Sequence, residues 1–125
     1  MIVFSNHRLG PAAELLVSPE VAKDMLRATA DAADPVADGR WERELVQWLL
    51  DRLVAASGID HIDVGDVGWT PDHFDRQRQF LVRAISRAAE TSEHHRALAR
   101  WAAMIEAHPR DSVQVGRRWS SILTT

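Results

Sequence analysis

The chain is expected to fold as a mainly α protein: one globular domain over residues 1–125, a compact bundle of about four helices around a central apolar helix at residues 39–57. Three observations predict this. Apolar residues recur at helical spacing through four separate segments. Two of those segments open on a cap, proline, acid triplet, Ser18-Pro19-Glu20 and Thr70-Pro71-Asp72. Hydrophobic residues make up 46% of the 125 positions and charged ones 26%, enough to build one core and to exclude wholesale disorder.

At the amino terminus, Met1 to Phe4 reads as a short strand. Glu14-Leu15-Leu16-Val17 reads as a second strand or a helical turn, with Gly10-Pro11 as punctuation between them. The first helix starts where Ser18 caps, Pro19 takes the first helical position and Glu20 meets the positive end of the dipole. Val21, Met25, Ala28 and Ala32 fall on one side of it, bordered by Thr29. Lys23, Asp24, Arg27 and Asp31 fall on the other, and Asp34-Pro35 ends it.

The second helix runs from Gly39 to Ser57 and stops at Gly58, a candidate left-handed terminator. Trp41, Leu45, Val46, Trp48, Leu49, Leu50, Leu53 and Val54 cover most of its circumference, which marks it as the central helix. Arg52 shares the Trp41/Leu45/Trp48 face, so it is expected to stack on Trp48 or to reach an acid.

Residues 59–69 form an acidic loop with apolar anchors, in which Ile62 and Val64 suit a short extended piece. Thr70-Pro71-Asp72 opens the third helix, which buries Phe74, Leu81, Ile85 and Ala88 and extends to about Ala89. Thr91-Ser92-Glu93 separates it from a fourth helix carrying Leu98, Trp101, Ala102 and Ile105 inward, closed by His108-Pro109. In the tail, Val113 and Val115 alternate as in a strand before Gly116. Minor β segments are therefore expected at the termini and in the 59–69 loop.

Charge is divided unevenly. Residues 1–75 hold 6 Lys/Arg against 14 Asp/Glu, a local charge of −8, and residues 76–125 hold 9 against 4, or +5, within a chain of net charge −3. Such blocks either attract each other in the fold or present two faces to partners of opposite sign. Several classes of chemistry are excluded or unsupported. Without cysteine there is no disulfide, thiolate metal site or thiol nucleophile. No G-x-S-x-G and no phosphate-binding glycine loop occur. The opening apolar run of four residues is too short for a signal peptide, and no stretch nears the ~20 apolar residues of a membrane span, so a cytoplasmic, bacterial-type protein is expected.

Several candidate sites remain. Asp60, Asp63, Asp66, Asp72 and Asp75, with Trp69 among them, form an acidic surface suited to a basic protein partner. His61, Asp63, Asp66 and His73 are the alternative metal-dependent catalytic set. A calcium loop starting at Asp63 fails, because Gly65, Val67 and Phe74 stand where oxygen ligands are required. His94 and His95 diverge by ~100° on one helix and cannot easily share an ion. Arg78 lies in the apolar stripe of the third helix and must pair with a carboxylate or snorkel outward; pairing with the preceding acidic loop is expected.

The last constellation is a basic face: Arg76, Arg83 and Arg87 beside Phe80, Arg96 and Arg100 on the fourth helix, and Arg110, Arg117, Arg118 and Trp119 in the tail. It is the alternative nucleic-acid surface. A net charge of −3 and a pI near 6.0 argue against that use, since nucleic-acid-binding domains commonly exceed a pI of ~9. Docking on the protein's own acidic half or on a second copy explains the arginines more simply. The expected function is thus a small interaction module, an inhibitor, immunity-like or regulatory protein, that presents its acidic loop to a basic partner protein. A homodimer is compatible with this reading, and no cofactor, catalytic residue or membrane association is expected.

Overall fold

The structure, a computed structural model, describes residues 1–10 and 13–110. Three strands, β1 (Ile2–Ser5), β2 (Glu14–Val17) and β3 (His61–Asp63), accompany four helices, α1 (Pro19–Ala33), α2 (Arg40–Ala55), α3 (Phe74–Thr91) and α4 (His95–Glu106). The protein is mainly helical with a minor sheet, as expected from the sequence. The tail strand expected at residues 113–115 lies outside the described residues.

The sheet has the order β2-β1-β3, with β1 antiparallel to β2 and parallel to β3. Strand periodicity of two sends Leu15 and Val17 inward and leaves Glu14 and Leu16 exposed. Phe4 is paired with Leu15 on one side and Ile62 on the other, so one row of apolar side chains crosses all three strands. Trp101 of α4 meets that row, its ring centroid 4.9 Å from that of Phe4 in an edge-to-face contact.

Helix starts follow the local chemistry closely at α1 and loosely at α3. The Ser18 hydroxyl accepts from the Val21 N–H at 3.2 Å, and Pro19 is the first helical residue. At α2, the N-cap Gly39 has no side chain, and Glu42 reaches back to accept from the Gly39 and Asp38 N–H groups. Thr70-Pro71-Asp72 instead makes a turn, and α3 begins at Phe74. The Thr70 N–H is held by the amide of Gln77, a buried residue of α3 that also donates to the Gly68 carbonyl. Gly68 has φ +66°, a left-handed conformation that a side chain would strain. Gly58, by contrast, is not in the left-handed region, so α2 ends without the terminator expected there.

The centre of the bundle is α3 rather than α2. Helix α3 packs on α1, α2 and α4, whereas α2 leans chiefly on α1. Only Leu45, Val46 and Leu49 of α2 are buried, while Val54 is 84% exposed. The apolar breadth of α2 suggested centrality, but a helical wheel does not record how many neighbours a helix has. Trp41, Trp48 and Leu53 are half-buried at its flanks. The inner face of α1 is also rotated from the expected stripe, burying Ala22, Met25, Leu26, Ala30 and Ala33 because two helices, α2 and α3, press on it.

Mutations separate the two positions. Leu81→Ala in α3 should cost about 2–5 kcal/mol, whereas Val54→Ala in α2 should stay within about 0.5 kcal/mol of the parent. Urea unfolding of both variants measures the contrast, and equal losses would contradict the placement of α3 at the centre.

Candidate functional site

The acidic loop is divided by the fold into internal and external carboxylates. Asp63, at the end of β3, is internal. Its Oδ2 accepts from the Ser5 hydroxyl at 2.9 Å and the His7 N–H at 3.1 Å, and its Oδ1 accepts from the Gly65 N–H at 2.7 Å. Nδ1 of His7 lies 2.8 Å from the same Oδ2. A Cβ on Gly65 would stand 2.8 Å from Asp63 Oδ1, so a side chain there would push that carboxylate oxygen away from the Gly65 N–H. Asp75, in the first turn of α3, pairs with Arg110 and lies 3.6 Å from Arg78. Asp60, Asp66 and Asp72 remain exposed, with no ion pair among the described residues.

Trp69 is occupied by its own fold. Its indole N–H donates to the Val64 carbonyl at 2.8 Å, and its ring stacks on the buried His108 with centroids 5.3 Å apart. Phe74 tilts against both rings. Arg78 lies over Phe74, 5.3 Å from the ring centroid, and donates to the His108 carbonyl at 3.2 Å. The acid that Arg78 needed is Asp75 on its own helix, one turn back, rather than a loop residue. Asn6, fully buried, donates to the Met104 carbonyl, and its Oδ1 lies 3.3 Å from Nδ1 of His108, which joins this corner to the amino-terminal segment.

The proposed metal set is dispersed. His61 is exposed on β3, Asp63 is engaged as described, and His73 stacks on Trp41 with centroids 5.9 Å apart. Among the described residues, the three or more potential ligands whose donor atoms converge are Asp24, Glu93 and His94.

Part of the basic face, in contrast, is gathered into a concavity. Arg76, Arg83 and Arg87 of α3 line a cleft of about 400 Å³ together with Trp41 and Glu42 of α2 and Phe80 of α3. Trp41 and Phe80 meet edge to face, 5.9 Å between centroids, where the two helices approach. The three guanidinium groups are exposed and have no ion-pair partner among the described residues. Glu42, the nearby acid, is turned to the N–H groups of Asp38 and Gly39. Arg83 also lines a neighbouring cleft, which it shares with Asp75, Arg78 and Glu106. Spacing on α3 explains the row: positions 76, 80, 83 and 87 fall on one face at steps of four, three and four. The part that pattern could not supply is Trp41, which comes from another helix. Arg117, Arg118 and Trp119 lie outside the described residues.

The structural use of Asp63 has a measurable consequence. Asp63→Ala orphans three donors, one of them the buried Ser5 hydroxyl, and should cost about 2–3 kcal/mol. His7→Ala should cost less than about 1 kcal/mol, because the His7 side chain is 72% exposed. Asp60→Ala and Asp66→Ala should leave the thermal midpoint nearly unchanged, and a loss matching that of Asp63→Ala would contradict the internal–external division. Among known proteins, no family model, no curated protein and no solved structure matches the chain.

Proposed function

We propose that the protein is an interaction module that takes an acidic segment of another protein into the cleft between α2 and α3. The observation that carries this reading is the row of Arg76, Arg83 and Arg87, without a carboxylate partner among the described residues, beside the Trp41–Phe80 pair. Arginine and tryptophan are the side chains most enriched at interface hot spots, because each combines a large contact area with directional polar groups. The guanidinium row supplies attraction and orientation for carboxylates. The aromatic pair supplies the apolar contact that charge alone lacks. Placing the arginines on one well-buried helix also limits the ordering cost of binding.

Asp60, Asp66 and Asp72 support a second reading, capture of a basic partner by the opposite charge block. Three exposed carboxylates with no ion pair among the described residues motivate it. With Asp63 and Asp75 engaged inside the molecule, that surface is smaller than the sequence suggested. Asp66 does line, with Trp41 and Trp48, a small depression of about 160 Å³.

One experiment separates the readings. The full chain is titrated at low salt, by calorimetry, with a glutamate-rich peptide bearing a central tryptophan, its lysine-rich counterpart and a thymidine oligonucleotide. The acidic peptide should bind, and the combined change of Arg76, Arg83 and Arg87 to Gln should weaken it by about tenfold or more. Binding of the lysine-rich peptide alone, lost on changing Asp60, Asp66 and Asp72 to Asn, would replace the first reading by the second. Tighter binding of the oligonucleotide than of either peptide would overturn both in favour of nucleic acid.

A further inference from the structure

Where the end of α3 meets the start of α4, three potential ligand atoms converge, from residues that belong neither to the acidic loop nor to the lining of the arginine cleft. Asp24 belongs to α1, whereas Glu93 and His94 belong to the link between α3 and α4. Nε2 of His94 lies 3.4 Å from Oδ2 of Asp24 and 3.6 Å from Oε1 of Glu93, and the three atoms lie within 4.8 Å of one another. Two segments some seventy positions apart thus aim two carboxylates at one ring nitrogen. The His94 side chain is only 21% exposed, and its backbone N–H is fixed by the Ser92 hydroxyl at 3.0 Å.

We propose that Asp24, Glu93 and His94 form a binding site for a divalent metal ion of the zinc type, with solvent completing the coordination. Around a tetrahedral ion with ligands at about 2.0–2.2 Å, neighbouring donor atoms stand about 3.3–3.6 Å apart. The two separations at His94, 3.4 and 3.6 Å, fall within that range. Two carboxylates match a 2+ charge and are relieved of mutual repulsion by it. An imidazole nitrogen favours zinc over calcium or magnesium, which take oxygen ligands and larger coordination numbers. An open cleft of about 310 Å³, also lined by Arg27 and Asp31, gives the ion and its solvent access to all three atoms. The set differs from the His61/His73 combination that the sequence suggested, because spatial convergence rather than local density of Asp and His decides which atoms meet.

A proton on His94 Nε2 would also reconcile the two carboxylates, so the test must detect the metal itself. Metal-stripped full-length protein is titrated with zinc chloride by calorimetry, with calcium and magnesium chloride run in parallel. One zinc per chain should bind, and zinc should raise the melting midpoint because it joins α1 to the α3–α4 link. Asp24→Asn and His94→Ala should each weaken binding by about tenfold or more, while His95→Ala, at the neighbouring position, should leave it unchanged. No measurable zinc binding, binding undiminished in Asp24→Asn and His94→Ala, or equal affinity for calcium would overturn the proposal. Asp24 is exposed, so Asp24→Asn keeps the test valid even if His94→Ala folds poorly.

Discussion

The parallel pairing of β1 with β3 is the constraint on which the remaining architecture depends. Strands of four and three residues pair across an intervening stretch that contains β2, α1 and α2. Closing so long a loop for so short a ladder is entropically costly, and the ladder alone offers few hydrogen bonds in return. Asp63 adds what the ladder lacks. Its carboxylate gathers Ser5 and His7 from the end of β1 and Gly65 from the turn after β3, at the point where the strands part. Register follows from the same contact. A slip by one residue would turn Ile62 out of the core and remove Asp63 from its donors together.

That use of an acid explains why the charge division of the chain does not resolve into a simple embrace of its two halves. Asp63 serves hydroxyl and backbone donors, and Glu42 serves the start of α2. Asp75 takes two arginines, Arg78 and Arg110, at the corner closed by Trp69, Phe74 and His108. Asp75, the acid adjacent to Arg76 in sequence, is therefore committed to Arg78 and Arg110, and Arg76, Arg83 and Arg87 are left facing solvent. Burying a guanidinium would demand a partner in good geometry, whereas leaving it exposed costs little and keeps its charge accessible to another molecule.

What could be read from residues alone were features decided locally. Ser18-Pro19 fixes a helix start because cap and ring act within one turn, whereas Glu14-Leu15-Leu16-Val17 suited a strand or a helical turn and is a strand because it pairs with β1. The inner stripe of α3 was equally legible, since Phe74, Leu81, Ile85 and Ala88 recur at helical spacing. Features set by distant partners were not. Thr70-Pro71-Asp72 has the same local signature as Ser18-Pro19-Glu20, yet the turn there is settled by Gln77 and by the left-handed Gly68. The outer position of α2, the pairing of Trp41 with Phe80 and the approach of Asp24 to His94 are all contacts between elements, which no periodicity encodes. At the acidic loop, composition showed a group of aspartates but could not distinguish the one that holds the strands from those that face water.

The helix that organises the core also carries the proposed binding row, and the two roles support each other. Along α3, Leu81, Ala84, Ile85 and Ala88 are buried against α1 and α4, which immobilises the backbone from which Arg83 and Arg87 project. A guanidinium on such a platform still has free side-chain torsions, but its Cα position is set before any ligand arrives. Trp41 is held in turn by His73 on one side and Phe80 on the other, so the apolar part of the cleft is similarly preformed. Preformation lowers the ordering cost that weak electrostatic contacts must overcome, and it makes the spacing of charges a selective property rather than an average over many conformations. A cleft built this way favours ligands whose negative groups match the row along α3, and it penalises those that bring charge without an apolar group for Trp41 and Phe80.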